Sequence, residues 1–321
     1  MPLRRSCLIA VAAACLAGPL AALPATAAPT ALPGAIDLPC AGATRHQNAD
    51  WYLPDGVPRG LVWVQHGFAR ADGNVAALAE TLASAGYLVF TPSLPFFDPA
   101  GCTLQNLGDN TPFLDQVARL FGTADDPYGP LATALAAAAA QAGRPAPALP
   151  QRMVFIGHSA GAEAAEYVAH HLHTDYPARW PDLAGLILLD PVKSFLGNNT
   201  DVALTDLDRT PLPILTVAGP PSPCNNFGTG TTAVQTLLHR DFVGVRLPTG
   251  VHTDAEGASS DALGELICGT PQSANVSILQ HLATDWTADF FDGTTTSIDY
   301  PTGTPGTIPA AAGAQPLRGA A

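Results

Sequence analysis

Between residues 61 and 291, short apolar runs alternate with amphipathic stretches, and this alternation constrains the chain more than any other feature. Residues 61–65, 87–91, 153–156, 186–189, 214–217 and 242–247 read as strands. Residues 74–85, 128–142, 160–173 and 276–291 carry helical spacing. Continuous apolar strands separated by helices imply a mostly parallel sheet with helices on both faces. Residues 45–52 are expected to add an antiparallel edge strand. With 47% hydrophobic residues in 321, one α/β domain can bury a sizeable core. Residues 92–108, rich in Pro and Phe, read as a structured loop, and no internal repeat is visible.

The ends differ from this pattern. Arg4 and Arg5 precede an apolar run over 8–23, and Ala25-Thr26-Ala27 supplies a cleavage pattern, so residues 1–28 read as a secretory signal peptide. Gly18 and Pro19 interrupt the run, which argues against a stable membrane anchor. The Arg pair also permits twin-arginine export. Cys15 raises a lipoprotein reading, but plain Ala residues precede it. The domain is expected over 29–292. Residues 293–321, rich in Thr, Pro, Gly and Ala, read as a flexible tail or surface wrap.

Of six Cys, Cys7 and Cys15 would leave with the signal. Cys40, Cys102, Cys224 and Cys268 then form two disulfides by any of three pairings. The expected pairs are Cys40–Cys102 and Cys224–Cys268. No two of them have the close spacing of zinc ligands. The net charge of −13 argues against nucleic acid and anionic membrane surfaces as partners.

Gly157-His158-Ser159-Ala160-Gly161 is weak as a bare five-residue pattern. Its position is informative: it ends a strand and opens a helix, the setting of a strained turn that exposes a nucleophilic Ser. The helix N-terminus favours negative charge developing there. A Ser nucleophile needs a base, and the base needs an orienting carboxylate. Downstream His residues are His170, His171, His173, His239, His252 and His281. The first three lie on or near the following helix and read as solvated; a metal site built from them and Asp175 lacks a further ligand. His239 and His281 sit in helical patterns. His252 follows the strand over 242–247, in a loop on the functional rim of such a sheet. It is the expected base. Asp190 closes the strand over 186–189 and is the expected acid, with Asp201, Asp206 and Asp208 as weaker rivals. The strand over 214–217 is followed by Ala-Gly-Pro-Pro-Ser-Pro-Cys-Asn-Asn, with no carboxylate. Oxyanion donors are expected at the amides of Ala160 and Phe68, with Gly67 allowing the close approach. Phe68 and His158 are expected to line the substrate pocket. No metal or organic cofactor is required.

On His66-Gly67-Phe68, the Ser159 turn, Leu189-Asp190-Pro191-Val192 and Val251-His252, the chain resembles the α/β-hydrolase superfamily over roughly 51–292. Within it, Asp190-Pro191-Val192 is similar to the Asp-Pro-Val of chlorophyllase-like members. Gly67-Phe68 is similar to the oxyanion loop of bacterial cutinase-like polyester hydrolases. The latter usually carry the acid one strand later, where this chain offers none, so the chlorophyllase-like layout fits better. The resemblance implies an α/β-hydrolase fold and a serine esterase acting on small-molecule or polymeric esters; with the signal peptide, a secreted monomer is expected. Residues 191–211 leave room for only a small cap, or none. A non-catalytic binding protein on the same fold, or an amidase or acyltransferase with the same three residues, are the alternatives.

Overall fold

The computed structural model describes residues 29–303 and 306–321. The expected signal peptide, with Cys7 and Cys15, lies outside them. Among the described residues ten strands form one sheet. They are β1 (Thr30–Leu32), β2 (Ala35–Cys40), β3 (Ala43–Leu53), β4 (Leu61–Gln65), β5 (Leu88–Pro92), β6 (Met153–His158), β7 (Leu183–Leu189), β8 (Ile214–Ala218), β9 (Gly244–Arg246) and β10 (Gln315–Leu317). The order is β1-β3-β5-β4-β6-β7-β8-β9-β10, and β2 pairs with β3. Strands β4 to β9 run parallel to their neighbours among themselves, whereas β3 and β10 flank them antiparallel.

The parallel strands are apolar along their whole length because both faces are covered. Trp63, Phe90, Phe155 and Leu188 point into one layer. It is built by α2 (Thr111–Gly122), α3 (Pro130–Gln141), α4 (Ala160–Asp175), α5 (Asn199–Leu207) and α6 (Thr229–Leu237). Val62, Val64, Ile156 and Ile187 point into the other, against α1 (Ala76–Ser84) and α8 (Ser273–Asp292). A short α7 (Ala262–Cys268) lies in the connection after β9. Helix α2 was not among the sequence expectations. Its signal is present: Pro112 near the start, then Phe113, Leu114, Val117 and Phe121 on a buried face.

Strand β4 connects through α1 to β5 on one side, while β6 lies on its other side. Such a switch point opens a crevice at the carboxyl ends of the strands. The turns after β4 and β6 meet there.

Two expectations need correction. Strand β3 is not an edge, because β1 pairs along its outer side at Trp51–Leu53. Of the two forms expected for residues 293–321, the flexible tail gives way to the surface wrap: Gln315–Leu317 pairs with Gly244–Arg246, and Ile308 and Leu317 are buried. A few apolar anchors and strand hydrogen bonds suffice to hold a segment poor in large apolar residues. The Cys40–Cys102 and Cys224–Cys268 disulfides are both present, with Cα separations of 5.9 and 5.6 Å. Among the described residues, no helix is long and apolar enough to cross a membrane. The segment over 191–211 holds only α5, which packs on α4 and α6 and is no large cap.

Candidate active site

Ser159 joins β6 to α4 with φ 57° and ψ −125°. A non-glycine residue at positive φ is strained and persists only where its surroundings hold it. The surroundings here are two glycines. A Cβ on Gly157 would stand 2.3 Å from the Gly161 carbonyl, and one on Gly161 would stand 2.4 Å from the His66 carbonyl. The strand, the helix and the turn after β4 therefore touch backbone to backbone. Asp190 (φ 41°) and Ala69 (φ 56°) are strained in the same way, so three loop residues around the crevice store conformational energy.

The structure brings Ser159, Asp190 and His252 to one end of the sheet, at 6%, 4% and 9% exposure. His252 Nδ1 donates to Asp190 Oδ2 at 2.6 Å. The other Asp190 oxygen accepts from the Gly219 amide at 2.9 Å and from Asn225 Nδ2 at 3.1 Å. Both oxygens of the carboxylate are thus engaged by donors, and the bond from Nδ1 leaves His252 Nε2 bare. Ser159 and His252 face one pocket of about 330 Å³. Among the described residues no hydrogen bond joins Ser159 Oγ to His252, a contact that often tightens only with substrate bound.

Gly67 approaches so closely that a Cβ there would lie 2.7 Å from Ser159 Cβ. This contact sets the Phe68 amide beside the Ser. Neither the Phe68 nor the Ala160 amide donates to an acceptor among the described residues. Both are available to an oxyanion. The Phe68 ring packs edge-on against Phe96, with centroids 5.3 Å apart, at the rim of the pocket. His158 lines the pocket too, but its ring is buried and its Nε2 donates to the His252 carbonyl at 3.0 Å. Burial, then the neighbouring His252, hold the His158 imidazole well below the ordinary His range. It is neutral, and it positions the loop that carries His252.

The remaining histidines are engaged elsewhere. His170 and His173 pair with Asp206, His171 with Asp175, and His239 with Asp208. The first three were expected to be solvated; each has a carboxylate partner instead. The rival acids Asp206 and Asp208 are engaged by these pairs, and Asp201 pairs with Lys193. Among the described residues one His–Asp group has metal-like spacing, His281 with Asp285 and Asp299. It joins α8 to the C-terminal segment, away from Ser159, and His281 Nε2 already bonds Asp299 Oδ1 at 2.9 Å.

Four residues escaped the sequence reading. Asn225 holds Asp190 from the loop after β8, the strand that offered no carboxylate. Arg70 and Glu256 form a bidentate ion pair, Nε to Oε1 at 2.7 Å, tying the loop after β4 to the loop of His252. Glu163 on α4 accepts from the Ser194 amide at 2.8 Å, the Ser194 hydroxyl and Thr200 Oγ1 at 3.0 Å. It thereby anchors the segment that follows Asp190.

Glu166, one turn beyond Glu163, is buried with one carboxyl oxygen unpartnered. Burial, then the nearby Glu163, raise its pKa well above the ordinary carboxyl range. A carboxyl with a raised folded pKa contributes fully to stability only below its unfolded pKa, and that contribution is lost as pH rises through the folded one. Glu166→Gln removes the titration. Melting curves are therefore expected to show the variant gaining on wild type from pH 4 to pH 8, with the Tm difference increasing steadily toward the alkaline end. A pH-independent difference would refute this assignment.

A mostly parallel sheet, helices on both faces and a strained Ser between β6 and α4 define the α/β-hydrolase fold. Among solved structures it is similar to a ferulic acid esterase from Streptomyces cinnamoneus, with TM-score 0.55 and 17% identity over 92% of this chain and 98% of that one. It is also similar to an esterase from the fungus Rhizomucor miehei, with TM-score 0.52 and 10% identity over 84% and 86% of the two chains. A dienelactone hydrolase from Anabaena variabilis matches at TM-score 0.50 and 17% identity, over 82% and 98%. No family model and no curated protein matches the sequence. At such identities the likeness establishes the fold; the chemistry rests on the side chains.

Proposed function

We propose that the chain is a secreted serine hydrolase of carboxylic esters. The observation that carries this reading is the 2.6 Å bond from His252 to a fully hydrogen-bonded Asp190, beside a strained Ser159 that shares the same pocket. His252 Nε2 takes the Ser159 proton as Oγ attacks the ester carbonyl. The amides of Phe68 and Ala160 hold the oxyanion. His252 then protonates the departing alcohol, and water releases the acyl group by the reverse sequence. Asp190 remains ionised and stabilises the imidazolium.

The loops at this edge of the sheet expose large apolar side chains. Phe97 follows β5, Phe195 follows β7, Phe227 follows β8, and Leu263 and Ile267 follow β9. They support an ester with an apolar acyl or alcohol part. Two disulfides support export to an oxidising compartment. The open site favours small or extended esters over lid-gated behaviour.

The mature protein is expected to release p-nitrophenol from esters of graded chain length, without a jump in rate at an oil–water interface. It is also expected to react with a fluorophosphonate probe at Ser159. An unlabelled wild type, or equal labelling of Ser159→Ala, would sink this reading and leave a binding protein. A preference for amides, or for added alcohols over water as acyl acceptors, would redirect it to an amidase or acyltransferase.

A further inference from the structure

Arg70 and Glu256 are the two formally charged side chains among the described residues that line the pocket in front of Ser159. We propose that this pair makes the site selective for uncharged esters, and that Glu256 sets the selectivity by occupying the pocket's single cation. The inference rests on Ser159 being the nucleophile of an ester hydrolase.

Carboxylates already take three of the five guanidinium N–H groups, including the Nε–Nη2 fork. Nε and Nη2 bond the two Glu256 oxygens at 2.7 and 2.5 Å, and Nη1 bonds Asp261 at 3.0 Å. A Cβ on Gly264 would fall 2.6 Å from Nη2, so α7 lies against the group from another side. Glu256 is 2% exposed, so the pair is set into the wall. A bidentate Arg–carboxylate fork of this kind is the arrangement by which Arg would otherwise recognise an anionic ligand.

No second cation compensates. His158 is held neutral by burial, and burial lowers His66 to about 4. Asp190 stands directly behind His252, so the charges around the reacting carbonyl sum to a negative value. The other walls, including Phe68, Leu263 and Ile267, are apolar. A substrate carrying a carboxylate near its ester loses hydration without gaining a partner and meets like charge. At about 7 Å and a dielectric between about 20 and 40, one net negative charge corresponds to a penalty of roughly ten- to fiftyfold.

The test compares two aryl esters of equal length: the p-nitrophenyl monoester of adipic acid, which is anionic at pH 7.5, and its methylated, uncharged counterpart. Wild type is expected to favour the uncharged ester in kcat/KM by roughly ten- to fiftyfold, with the gap narrowing in high salt. Glu256→Gln frees the Arg70 fork and is expected to shrink the gap at least about fivefold. Arg70→Gln removes the cation instead and is expected to widen it. These opposite responses keep the test informative should one variant fold poorly. Equal wild-type rates on the two esters overturn the inference, as does an unchanged gap in a Glu256→Gln protein that still labels with fluorophosphonate. A wild type that hydrolyses neither ester and does not label overturns the underlying reading of Ser159 itself.

Discussion

Ser159→Ala is expected to lower ester hydrolysis by about 10⁵- to 10⁶-fold while leaving the melting temperature nearly unchanged. The chemical effect is large because the nucleophile is lost, and the other hydroxyl lining the pocket among the described residues, Thr253, already donates to the Gly269 carbonyl. The residual rate would come from the Phe68 and Ala160 amides and from substrate positioning. The structural effect is small because Ala has the same backbone restrictions as Ser at φ 57°, so no strain is added or relieved. The hydroxyl also donates to nothing among the described residues, so its removal leaves no orphaned partner. Rates on a p-nitrophenyl ester and a thermal melt of the same preparation check both halves. A variant that keeps a tenth of the wild-type rate would place the nucleophile elsewhere.

Asp190→Asn is expected to cost about 10⁴-fold in kcat with little change in KM. The carboxylate accepts from three donors: His252 Nδ1, the Gly219 amide and Asn225 Nδ2. An Asn side chain offers one oxygen and one NH2 group. Whichever way it turns, an NH2 faces a donor. If it faces His252, the imidazole must place its proton on Nε2, where it cannot accept from Ser159. If it faces Gly219 and Asn225, a buried donor is left unpaired, which costs about 1–3 kcal/mol. The loss therefore appears in the chemical step, and steady-state kinetics separate it from substrate binding. A near-normal kcat in Asp190→Asn would return attention to Asp201, Asp206 or Asp208, although these are engaged with Lys193, His170 and His173, and His239.

The order of Ser159, Asp190 and His252 was legible because Ser159 and Asp190 directly end apolar strands and His252 lies in the loop a few residues after another. In a parallel sheet all such ends share one edge, so the strand pattern already brings the three side chains near each other. Asn225 was not legible in that way. It lies 35 residues from Asp190, within a turn whose residues Asn226 and Phe227 adopt positive φ, and no periodic pattern announces such a turn. The Arg70–Glu256 pair is more remote still, at 186 residues' separation. Its partners are chosen by how the loops after β4 and β9 pack over the crevice.

The sequence by itself determined the sheet-and-helix alternation, the strained Ser turn and the chain order of its partners, because apolar periodicity and glycine placement act over a few residues. It also pointed to the four paired cysteines. Only the tertiary structure decided that β3 is covered by β1, that the Pro- and Gly-rich C-terminal segment supplies strand β10, and that Asn225, Arg70 and Glu256 surround the site. Those outcomes depend on hydrogen bonds and burial between segments far apart in the chain. Their free energies arise only when the sheet has brought its loops together.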